Sequence, residues 1–556
     1  MIETLYSHKK NFILLGLTGR IGSGCSTAAE FLSKDIDKQN IEELILPNKP
    51  DDEFRKKYII DKYYRKNWKP FTILKASDVI TAIIFQYNFD EINKMLEDSK
   101  FNIIEDEYKT IYESFHNQLK ICIQAFEKNS EKDLHSNYKI ICEILPKASE
   151  FIRNFFSKKT YKEYTDIYQK FGDNIRLCGQ INYDESKKFP KNIFTISEIL
   201  NLMIKIIKKY NKKTELPTYI VIDAIRNPLE ALFFKERYSA FYLIAINSSD
   251  QDIKTRLKEN QYLHDNEIEQ QSLKETQAKL LKSLEDFVSQ NIKGCIEKSD
   301  IFIANNGKDK SKDIPELYGQ LLKYICLIKH PGLITPSLDE KMMQIAYTAK
   351  LNSACLSRQV GASVTNKQSS LKSIGWNSVA DGQTPCLLRS ASELLSNSTS
   401  DSYSYFEKSL NFKKMLNSQN KLSPIGGLND SFCFKTIYTD NNPKEKGNQV
   451  HTRSLHAEEN AFLQLAKYGG EALQGGVLYS TASPCELCSK KAYQLGIERI
   501  VYIDPYPGIA MEQILQSGTK KIEVSLFSGA IGSSYHKLYE QLIPFKDELN
   551  VLMERS

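Results

Sequence analysis

The first apolar run, Phe12-Ile13-Leu14-Leu15-Gly16-Leu17, is short and unbroken. Such a run predicts a strand buried on both faces. A Gly-rich turn follows from Gly19 to Thr27, and Ala28-Ala29-Glu30-Phe31-Leu32 starts a helix. Strand, Gly-rich turn and helix open an α/β unit. From about 84 to 170, Lys, Glu and aromatic residues recur at helical spacing, which predicts a helical insertion. Strand-like runs return at Tyr219-Ile220-Val221-Ile222-Asp223, at Phe241-Tyr242-Leu243-Ile244-Ala245-Ile246 and at Ile301-Phe302-Ile303-Ala304. This alternation predicts a doubly wound parallel sheet over 1–328.

Pro and Gly then punctuate the chain from His330-Pro331-Gly332 to Thr335-Pro336-Ser337, the clearest domain boundary. A second domain is expected over 337–556. Its pattern predicts a helix from Glu340 to Leu356, strands at Arg358–Thr365 and Leu371–Trp376, a helix at His456–Tyr468, a strand at Val477–Thr481, a helix at Cys485–Leu495 and a strand at Arg499–Ile503. Between them lies an insertion of about 390–450. It is rich in Ser and Asn to about 430 and is expected to be a surface segment with some helix.

Composition narrows the function classes. The chain has 556 residues and a net charge of +6, with 41% hydrophobic and 11% aromatic residues. That supports packed cores and excludes a mostly disordered chain. The charge excess is too small for a protein held on nucleic acid by bulk charge. No apolar run reaches about 18 residues, so no membrane span is expected. The first residues lack the apolar core of a secretory signal. Eleven scattered cysteines argue for a reducing compartment, hence a cytoplasmic protein.

Only Cys485 and Cys488 have metal-ligand spacing. They lie in Ser483-Pro484-Cys485-Glu486-Leu487-Cys488, downstream of His456-Ala457-Glu458. Together these match the H-x-E…P-C-x-x-C pattern of zinc-dependent nucleobase deaminases. His456, Cys485 and Cys488 would be the three ligands of a Zn²⁺ whose fourth position stays open for chemistry. Cysteines at a helix start favour the thiolate. Glu458 would be the catalytic acid–base, carrying protons from water to the ring N3 and to the departing ammonia. The bland alternative is a structural zinc knuckle. That needs a fourth protein ligand, for which Cys386 and Cys433 are the nearby candidates.

The surroundings resemble the deoxycytidylate deaminase family. The likeness runs through Leu356-Ser357-Arg358-Gln359-Val360-Gly361-Ala362, Gly375-Trp376-Asn377, His456-Ala457-Glu458-Glu459-Asn460-Ala461, Leu478-Tyr479-Ser480-Thr481, Leu495-Gly496-Ile497 and Val501-Tyr502, with Tyr506 where the family tends to have a Tyr. The resemblance implies a three-layer α/β/α cytidine-deaminase-like domain. It also implies a free deoxycytidine nucleotide (dCMP or dCTP) as substrate, Asn377 at the sugar, and Arg358 at the phosphate or a subunit contact. A plain surface ion pair is the other reading of Arg358. Relatives of this kind imply a homo-oligomer, a hexamer.

The Gly19–Ser26 turn has the spacing of G-x-x-x-x-G-K-[ST], with Cys25 in place of Lys. Together with Trp68-Lys69-Pro70-Phe71, Gly172-Asp173-Asn174-Ile175-Arg176 and Val221-Ile222-Asp223-Ala224-Ile225-Arg226-Asn227-Pro228, it resembles P-loop nucleoside monophosphate kinases and dephospho-coenzyme A kinases. Gly19, Gly22, Ser23, Gly24, Cys25, Ser26 and Thr27 would cradle phosphate through backbone N–H groups. Ser26 would reach a Mg²⁺, with Asp223 behind it. Without the Lys, phosphoryl transfer loses its charge neutraliser. The readings are therefore a nucleotide-binding or sensing domain, a fold remnant, or a kinase.

A deaminase fused to a degenerate P-loop domain resembles bacterial antiviral deaminases. That implies depletion of deoxycytidine nucleotides during phage infection, under a repressing partner such as an RNA. The competing readings are an editor of cytosine or adenine in single-stranded DNA or RNA, and a regulatory module whose deaminase is dead.

Overall fold

The computed structural model describes residues 2–39, 51–128, 131–157, 161–187, 189–261, 275, 283–306, 316–396, 399–419, 426–445, 451–470, 472–504 and 509–554. The chain forms two compact units, Met1–Thr335 with Ser533–Ser556, and Pro336–Gly532. The division falls in the Pro-punctuated stretch. The last residues, Ser533–Ser556, group with the first unit, whereas the sequence pattern assigned everything after 337 to the second.

In the first unit the apolar runs pair as parallel strands. These are β1 (Phe12–Thr18), β2 (Thr72–Lys75), β3 (Thr218–Asp223), β4 (Phe241–Asn247) and β5 (Ile301–Ala304). Their order is β5-β4-β1-β3-β2. β1, in the middle, therefore marks a reversal of strand order, where ligands of open α/β sheets tend to bind. β3 and β4 are buried along their whole length, as unbroken apolar runs require. The crossover from β2 to β3 is helical and continues past 170, to the helix Thr195–Lys213. Its apolar faces share one core with the sheet, joining Phe85, Tyr112, Ile152, Phe171 and Ile204 to Leu14 and Ile220.

The second unit has a mixed sheet of β6 (Gly361–Thr365), β7 (Leu371–Trp376), β8 (Val477–Ala482), β9 (Arg499–Asp504) and β10 (Glu523–Leu526). The order is β10-β9-β8-β6-β7, with β6 antiparallel to both neighbours and β8, β9 and β10 parallel. Strand alternation puts successive residues on opposite faces. Ser363 donates to the carbonyl of Met342 at 2.9 Å, and Gly361 lies against the backbone of Ala346 and Lys350. The helix Leu338–Lys350 therefore covers that face. Ala362 and Val364, from the other face, pack with Ala457, Ala461, Phe462 and Ala492. The helices Ala457–Tyr468 and Glu486–Gln494 therefore cover the second face, which gives three layers.

The inserted stretch is not only surface. Its helices Ala391–Leu395, Leu410–Gln419 and Phe434–Asn441 enclose a core of Leu394, Tyr403, Phe412, Leu416, Phe432 and Ile437. Arg389 is fully buried in it, paired with Glu407 and lying 4.6 Å over the ring of Phe432. Among the described residues, no helix is long and apolar enough to cross a membrane.

Candidate active site

Two helix starts bring the chemistry together. His456 is the N-cap of Ala457–Tyr468, with extended backbone, and its N–H donates to the Glu459 carboxylate in a capping box. Cys485 is the N-cap of Glu486–Gln494, just after β8, and Cys488 follows in the first turn. An N-cap residue keeps a non-helical backbone at the helix entry, and both helix entries bring their side chains to one place. Nδ1 of His456 lies 3.3 Å from Sγ of Cys485 and 3.5 Å from Sγ of Cys488.

That spacing fits zinc. Tetrahedral bonds of about 2.3 Å to sulfur and 2.0 Å to nitrogen put N and S about 3.5 Å apart. Among the described residues no fourth His, Cys, Asp or Glu joins the cluster. Cys386 and Cys433 line the neighbouring cavity without entering it. The Cys485 thiol is pushed down to about 4 by hydrogen bonding to Cys488 and then to His456. Cys488 is held above its usual value by the same bond to Cys485, with burial adding to it. His456 is raised, chiefly by its bond to Cys485.

Glu458 sits in the first turn of its helix, 4% exposed, and stays outside the ligand set. Ser480, from β8, donates to its Oε1 at 2.8 Å. Burial raises its pKa, and the Ser480 bond offsets part of the rise. The sequence reading did not single out Ser480. It lies two residues before Ala482 on the strand that leads into the cysteines, and that place was the available signal.

A cavity opens onto this cluster, lined by Arg358, Asn377, His456, Glu458 and Cys485 among others. Asn377 follows β7 and is buried, its Oδ1 accepting from the Val360 N–H at 2.5 Å. Arg358 lines the same cavity and forms an ion pair with buried Asp504 at the end of β9. The inserted stretch contributes Phe434 and Lys435 to the wall, and Arg453 lines it from just before His456. Tyr506 lies outside the described residues.

The Gly19–Ser26 turn belongs to the first unit, where it leads from β1 into the helix Cys25–Ser33. Gly22 and Gly24 have φ of +81° and +108°, a region costly for any residue with a Cβ. Gly24 is the N-cap of the helix. Ser26, exposed like Thr27, donates to Asp223 Oδ2 at 2.9 Å. Ser23 and Cys25 are buried. Burial pushes the Cys25 thiol up to about 12, so it is a neutral side chain with no charge to offer. Arg20 pairs with Asp250, and Ile21 N–H donates to the Glu275 carboxylate at 3.0 Å.

Residues 336–504 match the family described as the cytidine and deoxycytidylate deaminase zinc-binding region. The chain is 28% identical over 169 residues to the deoxycytidylate deaminase of Enterobacteria phage T2, covering 30% of this chain and 79% of the phage protein. It is 29% identical over 167 residues to that of phage T4, covering 30% and 77%. ComE operon protein 2 of Bacillus subtilis is 37% identical over 76 residues, 13% of this chain and 40% of that protein. The apo crystal structure of dCMP deaminase from the cyanophage S-TIM5 aligns over 35% of this chain and all of that one, with 22% identity and a TM-score of 0.21. The family match and the phage relatives make this chain a hydrolytic deaminase whose C-terminal part carries the zinc-binding region.

Proposed function

We propose that the second unit hydrolyses the exocyclic amine of a free deoxycytidine nucleotide, dCMP or dCTP, yielding the deoxyuridine nucleotide and ammonia. The observation that carries this reading is a buried, unliganded carboxylate, Glu458, held by Ser480 beside a three-donor cluster and facing a cavity. The phage relatives, named as deoxycytidylate deaminases, support the same substrate. Zinc, when bound by His456, Cys485 and Cys488, supplies the Lewis acidity that makes water a nucleophile near neutral pH.

The residues of the chain do the rest. Glu458 takes a proton from the attacking water and passes it to ring N3. It then takes the second proton from the hydroxyl now on C4 and delivers it to the departing amine, as the C–N bond breaks and the C4 carbonyl forms. Burial raises its pKa above the usual carboxylate value, which suits a group that accepts a proton and must give it back. Ser480 fixes which oxygen faces the cavity. Asn377 meets the sugar with the Nδ2 side that its bond to Val360 leaves over. Arg358, steadied by Asp504, stands beside it.

The test is to incubate the purified protein with dCMP, dCTP, CMP and a cytosine-containing single-stranded oligonucleotide, following ammonia and base identity. Rapid conversion of dCMP or dCTP is expected, with the oligonucleotide untouched. The reverse pattern would favour a nucleic-acid editor.

For the first unit, our reading is a phosphate-binding site with poor phosphoryl transfer, its nucleotide held by Gly19–Thr27 and a Mg²⁺ by Ser26. The left-handed glycines, the helix N-terminus at Gly24 and the Ser26–Asp223 bond support it. Backbone donors hold an anion without Lys, but charge on a moving phosphoryl group goes unneutralised. Calorimetry should show nucleotide binding by the wild type, with phosphoryl transfer gained only in Cys25→Lys. Absence of binding in both would make this unit a scaffold. Joined to the deaminase, it fits a cytoplasmic enzyme that drains deoxycytidine nucleotides during phage infection, as the resemblance to antiviral deaminases implies.

A further inference from the structure

The cavity beside Glu458 is walled partly by residues that the zinc motif does not account for. Phe434 and Lys435 come from the first turn of helix Phe434–Asn441, and Arg453 comes from the approach to His456. Charge is unbalanced there. Among the described residues, three cations, Arg358, Lys435 and Arg453, line the cavity against one carboxylate, Glu458. Arg358 is committed to Asp504. Among the described residues neither Lys435 nor Arg453 has a carboxylate partner. Arg453 donates through Nη1 to a neutral acceptor, the carbonyl of Thr384, at 3.2 Å.

Cations in a concave wall with no carboxylate partner among the described residues concentrate positive potential and draw anions into it. The cytosine base and deoxyribose are neutral, so the anionic part of the proposed substrate is its phosphate. Lys435 also sits on a packed support. Its neighbour Phe434 stacks on Phe412 at 5.3 Å and on Tyr438 at 5.8 Å between ring centroids. Phe412 is itself buried in the core built around Arg389 and Glu407. The backbone that carries Lys435 is thus held by packing, so only its side chain has to be ordered when it engages an anion.

We infer that Lys435 and Arg453 bind the 5′-phosphate of the substrate, so that this wall selects nucleotides over nucleosides. The inference rests on the deaminase reading above and adds the residues that read the phosphate.

Steady-state kinetics on the full-length zinc protein tests it, with dCMP, dCTP and deoxycytidine as substrates. Lys435→Gln and Arg453→Gln should each raise KM for dCMP and dCTP about tenfold or more, the usual effect of losing a charge-assisted bond. Turnover number should stay within about threefold, because the groups touch no reacting atom. Deoxycytidine should be used equally well by wild type and variants, and Lys435→Arg should recover most of the loss. Product inhibition gives a second readout. The inhibition constant of dUMP should rise in the Gln variants while that of deoxyuridine stays fixed. Equal losses on nucleotide and nucleoside, or an unchanged KM for dCMP, would overturn the inference. A wild type inactive on all three substrates would instead remove the deaminase reading itself.

Discussion

Glu458 and Ser480 show how differently two residues of one site are written in a sequence. His456 and Glu458 lie two apart, and Cys485 and Cys488 lie three apart at a helix start. Local spacing of that kind survives in the linear pattern, so the donor set and the unliganded carboxylate were legible. Ser480 reaches Glu458 across the gap between a strand and a helix, and a Ser in a strand carries no periodic mark. Asn377 and Arg358 were singled out only through resemblance. The structure places both on the cavity, each already holding a protein partner. Ser480→Ala leaves Glu458 buried without its donor. Loss of such a supporting hydrogen bond typically costs about tenfold or more. The expected result is a fall of that size in turnover number, with zinc content and KM unchanged and activity largely restored by Ser480→Thr. A rise in KM or a loss of metal content of the same size would assign Ser480 to the scaffold.

Elements hold the site by close approach. A Cβ on Gly375 would lie 2.2 Å from the carbonyl of Ala457 and 2.4 Å from the amide of Ala461. Both are backbone atoms of the helix that carries His456 and Glu458 at its start, so the strand and helix must part. Overpacking of this kind costs about 1–3 kcal/mol. Gly375→Ala should therefore lower stability by that amount in chemical denaturation and reduce deamination with it, because the helix start moves. Unchanged stability and activity would contradict the packing described. Long apolar strands such as β1, β3 and β4 were legible because burial on both faces leaves an unbroken run. β2, four residues ending in Lys75, and β10, with no buried residue, carry no such signal. The helix after Pro336 ends at Lys350 rather than near Leu356, because Asn352 and Ser353 favour turns over helix interiors. The core around Arg389 was not legible either. Its aromatic residues and the Arg389–Glu407 pair come from segments far apart in a Ser- and Asn-rich stretch, and periodicity does not reveal such pairings.

At the scale of the molecule, the division near Pro336 was legible from Pro and Gly, but the return of the chain end was not. Tyr6 donates to Glu548 at 3.0 Å, His330 lies 2.9 Å from the same carboxylate, and Gly332 N–H donates to the carbonyl of Leu538. The C-terminal residues thus complete the first unit, a pairing set by packing between distant segments. The central claim belongs to the second unit: its cluster holds one zinc, and Glu458 moves the protons of a hydrolytic deamination. The most direct measurement is zinc content and dCMP turnover, side by side, in wild type and Glu458→Gln. One zinc per chain is expected in both, with turnover lower in the variant by about 10²–10⁴-fold, the usual contribution of an acid–base group. Turnover within tenfold of wild type, or a variant that loses its zinc, would contradict that claim.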